Sequence, residues 1–388
     1  MANGSQHSMA YVAESTFGTT PTSPAFKPIR HKGTTLALNK DTFQSEELRS
    51  DRQITDVRHG VYDVKGDVSV ELSYDSFDDM LEAALGGTWT PTKTTSISTI
   101  AATATTFTRA TGSWLTDTFV NGDVIVTSGF STAGNNGRFR ITNAAALALT
   151  VTPLEGQTMA IEAGSGDETL VTLKGTLKAG TTRRSFTFER LFGDLATGKK
   201  YHRFTGVAVA GFDLTVAPKA ITEMKLSLVG SGNVLDTAIA SGATYKAATT
   251  TSPFDAFSGT ITEGGSGITV VTEVQLKLDN KLEPRLIVGS NKSLLHSIGR
   301  SNITGSLTIY FEDSAQMEKF VNETSSSLVF TVLDTAGNSY SFNVPRIKYT
   351  GGGTPEVSGE GPITIQMPFQ ALLDSSTNTN LVITRIPV

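Results

Sequence analysis

The sequence predicts a mainly β protein in which one fold is written twice, each copy carrying one short helix, with a small β domain inserted into the first copy. Three observations lead there. In GDVSVELSY, Val68, Val70, Leu72 and Tyr74 fall on one face while Asp67, Ser69, Glu71 and Ser73 fall on the other, the period of a half-buried strand. The chain then changes to SFDDMLEAALGG, with Phe77, Met80, Leu81 and Ala84 at helical spacing. Residues 305–320, GSLTIYFEDSAQMEKF, repeat this grammar at an offset of 239 residues for the strand and 240 for the helix.

Residues 1–33 hold Pro21, Pro24 and Pro28 in a Ser-, Thr- and Gly-rich setting and read as an extended N-terminal arm, since proline removes backbone donors. Its aromatic residues Tyr11, Phe17 and Phe26 suggest docking. The first copy spans 34–90 and 170–250. In its helix, Ser76 and Asp79 predict a capping box and Gly86–Gly87 a stop. Residues 91–169 form the insert, with strands in FVNGDVIVTSGF and GRFRITNAAALALTVTP. Trp114, Phe119, Val124, Val126, Phe139, Ile141, Leu147, Leu149 and Val151 are its predicted core. An insertion at a loop tip leaves the host fold intact and projects from it.

The second copy spans 251–388. Leu307, Ile309 and Phe311 alternate, and Met317, Phe320 and Val321 take the spacing of Phe77, Met80 and Leu81, with Asp313 or Ser314 as cap. Gly60 and Gly66 answer Gly299 and Gly305, and LALN at 36–39 answers LKLD at 276–279. Downstream, the strands and polar turn of 185–204 match those of 328–342. Met224, Leu226 and Leu228 match Ile363, Ile365, Met367 and Phe369. An ordered series of this kind indicates duplication.

Composition narrows function. The 388 residues contain no cysteine, which removes disulfides, thiolate metal sites and cysteine nucleophiles together. The formal charge of −5 argues against a broad basic surface that clamps DNA phosphates. MANGSQHSMAYV has no basic region followed by an apolar stretch, so no signal peptide is expected. No run of 18 apolar residues occurs, so no membrane helix is expected. GDLATGKK at 193–200 resembles a phosphate-binding loop, but Lys200 stands where Ser or Thr is needed and a strand-like run follows. The five histidines show no metal-ligand spacing. No catalytic constellation and no cofactor motif is found, so an enzyme is not expected.

Two long connections carry the site candidates. Residues 40–65 crowd Glu46, Glu47, Arg49, Asp51, Arg52, Asp56 and Arg58 between two strands. The counterpart at 281–304 contributes Lys292 and Arg300. A long hydrated hairpin is one reading; the favoured one is a hairpin whose mixed charges meet a neighbouring subunit and set register there. Arg49, Arg52 and Arg58 are the candidates for pairing across that boundary.

The run TFQSEELRSDRQITDVRHGVYDVKGDVSVELSYDSFDDMLEAALGGTW resembles the signature region of major tail tube proteins from long, non-contractile-tailed bacteriophages. GTTRRSFTFER, PFDAFSGTITEGG, YFEDSAQMEKFVNET and VSGEGPITIQMPFQAL resemble later runs of the same family. The resemblance covers 10–90 and 170–388. It implies β-sandwich or barrel-like domains whose inner sheets join around a channel. It also implies rings that stack into a virion tail tube, assembled in the host cytoplasm. Two domains per chain imply a trimeric ring with pseudo-sixfold symmetry. The implied partners are further copies of the chain, the tape-measure protein, tail-tip or baseplate and terminator proteins, and viral DNA in transient passage. The competing reading is a virion decoration or glycan-binding protein that uses the 91–169 module, with Trp89 and Trp114 as stacking platforms.

Overall fold

The computed structural model describes residues 3–91, 99–117, 119–154, 156–172, 175–355, 357 and 359–387. Residues 92–98 of the expected insert lie outside them. The protein is mainly β with two short helices, Asp78–Leu85 and Ala315–Val321. No helix among the described residues is long and apolar enough to cross a membrane.

One unbroken series of antiparallel pairings organises the molecule. Ala37–Gln44 pairs with Val57–Glu71, which pairs with Glu223–Gly230, which pairs with Tyr201–Val216. Tyr201–Val216 then pairs with Val271–Asp279, and the order starts again. Val271–Asp279 pairs with Asn302–Tyr310, which pairs with Thr364–Ala371, which pairs with Ser339–Tyr349. Register repeats along with order. Gly66 faces Leu228 and Val68 faces Leu226 in the first half, as Gly305 faces Phe369 and Leu307 faces Met367 in the second. The hairpins even share an irregularity. Phe186 faces Val207 while Phe188 faces Phe204, and Ser326 faces Ile347 while Leu328 faces Val344.

The first 33 residues supply the strand His7–Ala13, which lies along Phe186–Phe192. In the second half Asp255–Glu263 lies along Ser326–Leu333 in the same way. The expected docking of the aromatic residues is present: Tyr11 and Phe26 are buried, and Phe17 meets the His296 ring edge-on at 5.4 Å. Prolines 21, 24 and 28 sit in the connections and at a strand end, where a missing N–H costs no ladder bond.

One contiguous core serves both halves, running from Val64, Val68 and Val70 through Leu214 and Leu276 to Leu307 and Met367. Each such side chain contributes roughly 1.5–3 kcal/mol by leaving water. The inserted unit has its own core, including Trp114, Phe107 and Phe139, and its own sheet. Its predicted core is largely observed, with two corrections. Ile125 rather than Val126 takes the buried position, and Leu147 is exposed in the turn before Ala148–Pro153. The period-two count at 124–126 slips because Val124 and Ile125 are both buried.

Helix caps also differ from expectation. Phe77 occupies the N-cap of the first helix without a side-chain bond. Ser76 instead bonds Ser73 at 2.7 Å, and Asp79 bonds Tyr11 at 3.0 Å. Asp79 is drawn from the local box to Tyr11 and Lys27 of the N-terminal strands, and Ser76 turns to Ser73 and Thr249. Gly86 ends the helix at φ +61, a conformation that suits glycine. In the second helix the Asp313 carboxylate accepts from Ala315 N at 2.9 Å, and Ser314 bonds Glu318.

Candidate functional site: a polar sheet face between two long loops

Because strand side chains alternate, the continuous sheet presents a polar surface opposite the core. In the first half it carries Asp63, Lys65, Asp67, Glu71, Asp213, Glu223 and Lys225. In the second, beyond Lys277, Asp279 and Glu273, it becomes Thr304, Ser306, Thr308, Gln366 and Gln370. A charge ladder crosses the strands. Lys225 lies 3.5 Å from Asp67 and 3.6 Å from Asp213, and Lys277 lies 3.3 Å from Asp213. The last contact bridges the halves. Side chains here are half exposed, so each pair contributes little to stability and mainly fixes alignment.

The two long loops leave the C-terminal ends of Ala37–Gln44 and Val271–Asp279, strands that run in the same direction, so both lie at the same end of the sheet. In the first, Arg49 pairs with Asp51 at 2.7 Å and Arg58 with Asp56 at 3.0 Å. The hydrogen bond from Arg49 holds the Asp51 carboxyl below its usual range. Glu46 and Glu47 are exposed, and Arg52 sits at φ +60 in the tip turn. Two of the three predicted boundary arginines thus already have partners in their own loop.

The second loop folds back on the first half. Its Asn291 carbonyl accepts from Tyr62 N at 3.1 Å, and Lys292 lies against Gly232. Asn280 donates to the carbonyl of Ala84 at the end of the first helix, at 2.6 Å. Leu282 and Leu295 cover that helix end around a cleft of about 500 Å³, which His296 and Arg183 also line. Burial lowers the His296 pKa. Arg300 is exposed. The structure therefore brings Lys292 to the joint between halves and leaves Arg300 outside it.

Apolar residues at the loop tips escaped the charge-based reading. Leu48 and Val288 are fully exposed, and Phe43, Ile54, Leu286 and Ile287 are about half exposed or more. Their signal in the sequence is an apolar residue that fits neither strand nor helix period inside a charged run.

In the cleft Ser185 donates to the Glu14 carboxylate at 2.8 Å, and no group of metal-binding side chains is found among the described residues. Residues 193–200 form the turn between Phe186–Phe192 and Tyr201–Val216, as the failed phosphate-loop match predicts. Both tryptophans are buried. Trp114 packs edge-on against Phe119 at 5.2 Å, while Trp89 lies under Arg385 and bonds the carbonyl of Asp78 at 3.3 Å. Neither ring is placed to stack on a sugar.

Fold and site together define a β-rich protein with a broad one-sided sheet, a repeated strand order and projecting loops. A family model described as phage tail tube protein matches residues 4–371, a span that includes the inserted unit. The chain belongs to the phage tail tube protein family. No curated protein matches it significantly.

Proposed function

We propose that this chain is the major tail tube subunit of a long, non-contractile-tailed phage. Two tandem tube domains in each chain make a ring of three chains with pseudo-sixfold symmetry, and rings stack into the tube. The carrying observation is the repeated strand order and register, with the two halves already joined side by side in one sheet. Equivalent joints are what a closed ring requires, and duplication supplies one of them inside each chain. Continuing the sheet from chain to chain also removes its exposed edges.

The polar face is our candidate for the lumen. It is neutral to acidic and offers no basic stripe, so a duplex passes without the counterion release that drives sticking. The tape-measure protein would occupy this bore before DNA does, and tail-tip and terminator proteins would bound the tube. The exposed apolar and charged loop tips support stacking. Location in the virion tail follows from this role.

End-on electron micrographs of the purified protein test the reading. Six-lobed rings containing three chains are expected. A closed ring of six complete chains overturns the trimer, and absence of any ring or tube at high concentration overturns the function.

A further inference from the structure

We infer that a second copy of this chain docks by one specific register. Residues 351–353 of one copy pair antiparallel with residues 37–39 of the next, so that Gly353 stands opposite Ala37. This rests on the ring reading above and adds the two edges, their direction and their alignment.

The argument is a comparison of neighbours. Tyr201–Val216 pairs with Phe186–Phe192, Glu223–Gly230, Gly232–Asp236 and Val271–Asp279. Its counterpart Ser339–Tyr349 pairs with Ser326–Leu333, Thr364–Ala371 and Val382–Ile386, the matching three. Among the described residues it lacks the fourth. Likewise Val271–Asp279 is flanked on both sides, whereas among the described residues its counterpart Ala37–Gln44 pairs only with Val57–Glu71. Each half lacks the neighbour that the other half of a second copy would supply.

The internal joint fixes the register. There Gly211 faces Asp279, Phe212 faces Leu278 and Asp213 faces Lys277. The hairpin register shared by the halves carries 211–213 onto 351–353, and the LALN–LKLD match carries 277–279 onto 37–39. Gly211 is glycine because a β-carbon there would lie 1.9 Å from the Leu278 carbonyl. The equivalent position is again glycine, Gly351. Arg190 donates to the Leu36 carbonyl at 2.6 Å and so sets one limit of the new joint.

The helices support the same docking. Residues 280–295 of the second half cover the first helix, and the matching cover for the second helix is the 40–55 loop of a neighbour. Val321 is 68% exposed on that helix and Phe43 62% exposed at the strand end that leads into that loop, so docking would bury apolar surface on both.

The absence of cysteine makes the test clean. A37C/G353C places two thiols at a non-hydrogen-bonded cross-strand pair, where α-carbons approach closely enough for a disulfide. Gly353 has open space around a β-carbon. Under mild oxidation, non-reducing gels should show most of the chain as covalent multimers ending at a trimer. N39C/G353C, two residues out of register, should cross-link at least tenfold more slowly. Rings in micrographs with no such preference overturn the register and leave the tube reading standing; no rings and no cross-links overturn both. Hydrogen exchange on the unmodified protein gives a second measurement that needs no variant. The amides of Leu38 and Gly352, which the same register makes the hydrogen-bonded pair between the two flanking non-bonded ones, should slow at least tenfold on assembly, and unchanged exchange there in assembled rings overturns the proposal.

Discussion

The two helices carry the same apolar spacing and sit over equivalent strands, yet they differ in burial. Asp78–Leu85 buries Met80, Leu81, Ala84 and Leu85, whereas Ala315–Val321 buries none of its residues. The cause is context. The first helix has the second half's loop over its end, and its Asp78 carboxylate receives Tyr340 and Arg385 from second-half strands. The second helix is held mainly by Lys319, which pairs with buried Glu263, and by half-buried Met317 and Phe320. A repeated pattern specifies a helix and its apolar side. What covers that side depends on where the helix sits in the fold.

Substituting Arg385 should break this asymmetry most strongly. Burial raises the pKa of Asp78 against the opposing pull of Tyr340 and Arg385, so R385M leaves a buried carboxylate short of its cation. A loss of about 3 kcal/mol is expected in chemical denaturation. The loss should shrink as pH falls, because a carboxyl with a raised native pKa binds its proton more readily folded than unfolded. A loss independent of pH would mean that Arg385 acts by packing on Trp89 alone.

Truncating the matched methionines sharpens the comparison. M80A removes a fully buried side chain and should cost about 2–3 kcal/mol. M317A, at a half-buried site, should cost under about 1 kcal/mol in the free subunit. Equal costs would show that the second helix is as well packed as the first.

The smallest effect expected concerns the strand that opens each half. Burial, with Arg190, His31 and His202 nearby, lowers the His7 pKa to about 4. A histidine held neutral in the fold contributes stability above pH 6.5 that is lost as pH falls toward 4. Hydrogen exchange should therefore show His7–Ala13 loosening between pH 7 and 5, while Asp255–Glu263, which has no histidine, stays protected. Equal behaviour of the two strands would remove His7 as the cause.

Period and order were legible from the chain itself. Alternation in 66–74 and 305–311 gave the central strands, and the two strands face their neighbours in matching register. The first strand of the chain was not legible. His7–Ala13 lies among glycines and prolines that read as a loose arm, and only its pairing with Phe186–Phe192 identifies it as a strand. The two loops were legible as charged connections between strands. That Arg49 and Arg58 engage Asp51 and Asp56 of their own loop was not, because spacing along the chain does not fix side-chain partners, and neither were the fully exposed Leu48 and Val288.

By itself, the sequence determined a mainly β chain with alternating strands, two short helices, a separate apolar set in the insert and no cysteine, because each depends on local spacing or composition. Only the tertiary structure decided that Tyr201–Val216 joins Val271–Asp279, and with it which two edges stay open. Strand partners far apart in the chain are selected by which apolar faces fit together, and neighbour-to-neighbour spacing along the chain contains no record of that choice.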